Sequence, residues 1–367
     1  MPHTPGHTIV GAGTLASTKR TFTSLLNGDV VEGGSERVTR GLWSGNVGTL
    51  AAYHTSSGQS STQKQYYYEI FDGVSTTSTS EPQFSVAYGH KAGSGSLSTN
   101  NDSPTQAIYS QYAQILLEDN KTTFEFDSVS TQHIYVVNIN RARLKDRLDP
   151  GNFQLNLARL SGSSFTNIIH TGSNVQVDTT LNEVIRLIDD SGDSLQTQNQ
   201  LGRVFNLVSG SITNGIHSPT TTYGQVYPEQ GVIVLNADTL DTNLEFNSVT
   251  SSNLNGDNAF KLFTAISGAY SISTSDGFQA RNEEEVKSTF YFVRARNGEY
   301  NFSNNPSFAT GSDGKFTQAT FVNDPKVYIT TVGLYNDSQE LLAVAKLSQP
   351  VLKSFSNEIL VKVKLDF

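Results

Sequence analysis

The apolar residues of this chain come in short runs that alternate with polar residues and stop at turn-forming ones, and this pattern limits the fold more than any other feature. Gln83-Phe-Ser-Val-Ala-Tyr88, Phe153-Gln-Leu-Asn-Leu157 and Ile359-Leu-Val-Lys-Val-Lys-Leu365 repeat with the period of two that lays one face of a strand on a core. Further short runs occur at 66–71, 122–126, 134–139, 168–169, 184–188, 204–208, 232–235, 289–293, 327–332 and 341–345, divided by Gly, Asp, Ser and Asn. Two stretches read as helix. Ser103 stands as N-cap before Pro104, whose missing N–H costs nothing at the first helical position, and Ile108, Tyr112, Ile115 and Leu116 follow on one face. Asp257 heads a second, over 258–266. Most gaps between strands lack a helical pattern, which disfavours βαβ units. The expected fold is therefore mainly β, with β-sandwich or barrel-like domains, about two short helices and an extended N-terminal arm.

A chain of 367 residues has room for two or three domains. Residues 1–62 hold only scattered hydrophobes among Gly, Ser and Thr and read as the arm, with Trp43 as an isolated aromatic and candidate contact residue. A β-rich domain with one helix is expected over 63–210. The Ser/Thr-rich stretch 209–222 marks a boundary, and a second β-rich domain is expected over 211–367, ending in a strand paired with the nearby 327–347 hairpin.

Composition narrows the function classes. Lys and Arg number 25 against 34 Asp and Glu, a net charge of −9, which disfavours a phosphate-binding footprint, so no nucleic-acid partner is expected. Charged residues make up 16%, below the roughly 25% of ordinary soluble proteins, so the polar surface is expected to be mostly neutral. Without Cys there is no disulfide framework, thiolate metal site or Cys nucleophile. No apolar run approaches the roughly 20 residues of a membrane helix, and the start of the sequence has no signal-peptide core; no membrane partner is expected, and synthesis is expected in a cytoplasm.

Motifs that carry chemistry are weak throughout. Ile9-Val-Gly-Ala-Gly-Thr-Leu-Ala16 has the spacing of a dinucleotide fingerprint, but Pro2, Pro5 and Gly6 leave little room for the strand it needs, and the residues after Ala16 open a helix poorly; it reads as a turn. His3 and His7 are separated by the helix-breaking Pro5-Gly6, and the other histidines are scattered. Asp189-Asp-Ser-Gly-Asp193 and Glu283-Glu-Glu285 are acidic groups that read as solvated turns rather than Ca²⁺ loops. No nucleophile elbow is present. No cofactor, metal, small-molecule substrate or enzymatic activity is expected. The one dense charge cluster is Arg141, Arg143, Lys145 and Arg147, alternating behind a hydrophobic strand. It reads as a basic strip that meets an acidic surface on a neighbouring subunit, in preference to one exposed face or a single helical turn.

Two stretches carry a resemblance. Phe290 to Phe308 leads into Pro325-Lys-Val-Tyr-Ile-Thr-Thr-Val-Gly-Leu-Tyr-Asn-Asp-Ser-Gln-Glu-Leu-Leu-Ala-Val-Ala-Lys-Leu-Ser348, which resembles a hairpin found in virion structural proteins of tailed phages at tail, fibre or baseplate positions. Ile134 to Leu157 and Tyr223 to Asn236 are similar to segments of large contractile-tailed phages, cyanophages among them. The resemblance covers about a quarter of the chain. The hairpin lies near the end of the sequence, whereas in fibre-attachment proteins it lies nearer the beginning, which favours a baseplate, neck or other assembly component. The resemblance implies a non-enzymatic virion subunit, made in the host cytoplasm, whose partners are other virion structural proteins and copies of itself. A head-vertex or capsid-decoration protein, and a glycan-binding or glycan-cleaving tailspike-like protein, are the alternatives.

Overall fold

The computed structural model describes residues 7–11, 23–43, 48–56, 67–74, 79–95, 103–161, 178, 181–192, 197–199, 202–248, 257–303, 305–310 and 314–366. It is mainly β and antiparallel, as the alternation requires. The chain divides into two compact units, one of residues 38–284 and one of residues 1–37 with 285–367. The expected boundaries at 62 and 210 are corrected accordingly. Strands Gly202–Ser211 and Gly215–Tyr227 form one hairpin across position 210, and Leu42, Trp43 and Leu50 belong to the core of the larger unit rather than to a separate arm. The expected strand at 168–169 and the 12–16 part of the glycine segment lie outside the described residues.

The larger unit is built on one antiparallel sheet. Its strands run in the order Arg147–Ala158, Val184–Asp189, Gly202–Ser211, Gly215–Tyr227, Val232–Asn236, His133–Ile139, Pro82–His90, Tyr67–Phe71 and His54–Ser56, with Gln279 to Glu283 added beside Arg147–Ala158. In the middle of the sheet the strands are apolar on both sides, and both sides are covered. Tyr135, Val137, Ile139, Ile233 and Leu235 face one cluster, whereas Ile134, Val136, Val232 and Val234 face another. This double burial explains why Val232-Ile-Val-Leu235 is a continuous apolar run instead of an alternating one.

Four of the five helices among the described residues lie in this unit: α1 (Pro104–Leu116), α2 (Arg141–Leu144), α3 (Ala237–Leu244) and α4 (Asp257–Ile272). Helix α1 covers the second face. Its buried residues are Pro104, Thr105, Ile108, Tyr109, Ala113 and Leu116, so Ile115, expected inside, points to solvent, and the Ser103 side chain makes no capping bond. A Cβ on Gly89 would lie 2.9 Å from the Tyr109 nitrogen, so only glycine lets α1 approach the Pro82–His90 strand this closely. Helices α3 and α4 cover the other face through Leu240, Leu244, Leu262, Ala265 and Ile266. Helix α4 runs past the expected end at 266 to Ile272, and Asn236 caps α3 by accepting from the Asp238 nitrogen at 3.1 Å. The sheet of this unit is thus layered with helices.

The smaller unit has the sandwich character expected from the sequence. One sheet orders Leu341–Lys353, Val327–Tyr335, His7–Gly11 and Thr23–Ser24. In the other, Ile359–Asp366 pairs with Ser288 to Ala295 of the Gln279–Ala295 strand. Ile329, Val332 and Leu334 from the first meet Val293, Ala295, Ile359 and Val363 from the second in one cluster. The final strand alternates as read, with Ile359 and Val363 buried and Leu360, Lys362 and Lys364 exposed. Its partner is corrected: it pairs with residues 288–295, and the hairpin contributes packing from the opposite sheet instead. His7–Gly11 is a strand after all, yet its neighbours are antiparallel, unlike the parallel βαβ setting that a dinucleotide site needs. The fifth helix, α5 (Thr320–Asn323), is a single exposed turn. Lys353 is fully buried in this unit, its ammonium held by the carbonyls of Asn297 and Ser354 at 3.0 and 2.8 Å and by Asn301 Oδ1 at 2.8 Å.

Candidate functional site

The basic strip begins on α2, a single turn whose second amide is capped by Asn140 Oδ1 accepting from the Ala142 nitrogen at 3.0 Å and whose Leu144 is buried. The acidic surface expected on another subunit is in this chain. Arg143 is paired with Glu81 and lies 3.9 Å from Asp72. Lys145 Nζ is 3.3 Å from Glu284, and Arg147 donates to Glu283 at 2.6 Å, where Glu283 is 1% exposed. Arg141 donates to the carbonyls of Asp146 and Glu229 at 3.4 Å. The physical reason is register: Arg147 faces Glu283 across the ladder, so the folded sheet supplies the counter-charges itself. Trp43 is corrected as well. It is 4% exposed, with Phe278 at 5.0 Å and Phe84 at 6.2 Å between ring centroids. Gly48, with a φ of +81° and no Cβ, which would sit 2.4 Å from the Ala280 carbonyl and 2.9 Å from the Gly41 Cα, lets these backbones approach beside it.

Among the histidines read as scattered, the fold joins two. His90 and His133 oppose each other in antiparallel register, with ring centroids 5.8 Å apart. The buried Tyr88 hydroxyl donates to His133 Nδ1 at 3.0 Å, and His133 Nε2 donates to Asp238 at 2.9 Å. Thr131 donates to the other oxygen of Asp238 at 2.7 Å. Burial pushes Asp238 upward, but the bonds from His133 and Thr131 hold it below the ordinary carboxylate value. Burial raises the Tyr88 phenol, with Asp241 and Asp238 adding to the effect, and burial followed by His133 lowers His90. The order acid, imidazole, hydroxyl has the outline of a proton relay. However, the Tyr88 hydroxyl is directed at His133 and is held protonated, so the chain of bonds fastens α3 to the sheet rather than activating a nucleophile.

The acidic groups are also occupied by backbone. Asp189 accepts from the Gly151 and Ser191 nitrogens at 2.9–3.1 Å, Asp190 accepts from the Asn206 nitrogen at 2.9 Å, and burial raises Asp189. Asp193 lies outside the described residues. No group of three or more His, Asp or Glu among the described residues is placed to hold a metal ion. A cleft of about 670 Å³ opens beside Arg186, which clamps Asp276 through two bonds of 2.7 and 3.0 Å. Its described lining is mainly polar (Ser209, Ser211, Asn214, His217, Gln279), with Val184, Ile185 and Ile212 among it, and holds no Phe, Tyr or Trp ring on which a sugar would stack.

The surface that stands out is in the smaller unit. Leu341–Lys353 is the outermost strand of its sheet among the described residues. Leu342 is 67% exposed and Val344 58%, with Leu341, Val351 and Tyr328 of the neighbouring strand also exposed. Inward-facing Ala343, Ala345 and Leu347 pack on the core, so the outward set is a product of alternation rather than of poor folding. Apolar groups contiguous on an exposed edge mark a contact surface. The sequence analysis singled out this hairpin but expected the contacts at Arg141–Arg147 and Trp43. No known protein family, curated protein or solved structure matches the chain.

Proposed function

We propose that the protein is a non-enzymatic structural subunit of a phage particle, assembling in the tail, baseplate or neck through contacts with other virion proteins and with copies of itself. The observation that carries this reading is the exposed apolar edge formed by Leu341, Leu342 and Val344, on the same hairpin that resembles virion proteins. Uncovered hydrophobes on the smaller unit are what is expected of a part that is finished by its neighbours. The polar groups elsewhere support the non-enzymatic side, since Tyr88, His133, Asp189 and Asp190 act in fastening strands and turns. A head-vertex position would use the same edge.

Antibody labelling of purified contractile-tailed particles by electron microscopy tests the location. Label at the tail, baseplate or neck is the expected result. Label at the head vertices moves the assignment to the alternative, and particles that carry none of the protein overturn the reading. As a second measurement, a chain with Leu342→Ser and Val344→Ser should fold yet fail to enter particles.

A further inference from the structure

We propose that Lys353 and Asn301 of the smaller unit become joined by an amide bond between their side chains, formed by the folded chain itself. Lys353 is 0% exposed and Asn301 9%. Lys353 Nζ lies 2.8 Å from Asn301 Oδ1, and the other oxygens it meets are the carbonyls of Asn297 and Ser354, at 3.0 and 2.8 Å. All of these acceptors are neutral, and no carboxylate is paired with Lys353 among the described residues. A charge enclosed by neutral groups is costly, so burial lowers the Lys353 ammonium from the ordinary amine value, with Glu299 acting in the opposite direction. A methionine would fill the same space without that cost. What the lysine adds is a nucleophile, placed against a buried amide.

The turn over residues 296–301 aligns the two groups. The Arg296 nitrogen donates to Glu299 Oε2 at 3.0 Å, and the Glu299 nitrogen donates back to the Arg296 carbonyl at 3.0 Å. Asn301 Nδ2 donates to the Asn297 carbonyl at 2.6 Å, so this one carbonyl accepts from both the attacking amine and the departing amide nitrogen. Holding them side by side in a buried site supplies the proximity that an unactivated amide needs. Glu299, in the same turn, takes one proton from the ammonium. The free amine then bonds to Asn301 Cγ, the Cγ–Nδ2 bond breaks, and the nitrogen leaves as ammonia with a second proton from Nζ. Nothing is oxidised or reduced, and no cofactor enters. Lys353 ends a strand of one sheet, and Asn301 follows the Gln279–Ala295 strand of the other, so the bond ties the two sheets across 52 positions of sequence. In a small unit of a chain without cysteine, such a staple restricts the unfolded state as a disulfide would.

Mass spectrometry of the purified full chain and of its tryptic peptides tests the bond. The expected mass is one ammonia below that of the sequence, with residues 297–315 joined to residues 347–362, because trypsin does not cut at an acylated Lys353. Cyclisation at Asn297-Gly298 also releases ammonia, but it leaves those two peptides separate. Lys353→Arg and Asn301→Ala chains should keep the full mass. Glu299→Gln, which leaves both partners in place, should form the bond roughly a hundredfold more slowly. A wild-type chain of full mass with separate peptides, both fresh and after prolonged incubation at neutral pH, overturns the proposal. A mass deficit that persists in Lys353→Arg does the same, and a Glu299→Gln chain that links as fast as wild type overturns the part given to Glu299. The bond lies within one chain, so none of these results touches the labelling of particles.

Discussion

The two units handle their hydrophobic residues in opposite ways. Among the described residues of the larger unit, buried apolar side chains outnumber exposed large ones several-fold, because helices cover both faces of the sheet. Among the described residues of the smaller unit, the exposed large hydrophobes, including Phe302, Val322, Leu342, Val344 and Phe355, are about as many as the buried apolar ones. Size accounts for part of this, since few strands cannot enclose much. The rest is arrangement, since the uncovered groups include those along one strand edge. The difference separates a unit closed over its own core from one that leaves apolar groups uncovered.

The contrast is open to attack by mutation, beginning with the larger unit. Phe278 touches the rings of Trp43, Phe84 and Phe153 and is 1% exposed, so Phe278→Ala should cost about 3–5 kcal/mol in denaturant unfolding. A loss below 1 kcal/mol would show that this core is loosely packed. Arg147→Ser comes next. It deprives the buried Glu283 of its guanidinium partner and should cost about 2–3 kcal/mol, short of the full effect of a deeply buried pair because Arg147 keeps some access to water. An unchanged melting temperature would return the strip to a role between subunits.

A smaller effect concerns pH. Burial, and then His133, lower His90 below the ordinary imidazole value, and its Nδ1 accepts from the Ala92 nitrogen at 3.1 Å. The unfolded chain takes up a proton near that value and the folded chain does so only at lower pH, so this contribution is full above it and is lost as the pH falls through the folded value. Melting at about pH 7.5 and about pH 5.5 should therefore differ more for wild type than for His90→Asn. Equal differences would mean that His90 does not carry the dependence. The smallest effects belong to the surface. Arg143→Ser should cost less than about 1 kcal/mol and Leu342→Ser about 0.5 kcal/mol or less, since neither empties a core. A larger loss from Leu342→Ser would make the edge a stabilising part of the fold, contrary to the comparison.

Elements with strong local patterning were legible in the sequence. Period two marked Ile359–Asp366 and Pro82–His90, and the Ser103-Pro104 start marked α1. Elements stabilised by distant partners were not. Val30–Gly41 has hardly any buried residue and no apolar period, so its strand exists through pairing with Gln279–Ala295. Gly215–Tyr227 opens on a Ser/Thr tract around Pro219 that imitates a linker. Helix α3 has few apolar residues beyond Leu240 and Leu244, and its first turn is ordered by a cap and by the Asp238–His133 bond. The partners of the Arg141–Arg147 strip lie far away in sequence, at Glu81 and Glu283, and local charge patterning does not register them. Exposure of Leu342 is likewise a property of the sheet's edge, which becomes visible only when the strand order is known.

The burial of Trp43 has an optical consequence. It is the only tryptophan in the chain, and it sits against Phe84 and Phe278 inside the larger unit. Its emission should be blue-shifted and poorly reached by acrylamide, and it reports the state of residues 38–284. Tyrosine, by contrast, occurs in both units, at Tyr135 and Tyr227 in one and at Tyr291 and Tyr328 in the other. Exciting the indole alone and then the phenols as well gives the chain a built-in two-colour assay, in which loosening of the smaller unit changes the second signal and leaves the first in place.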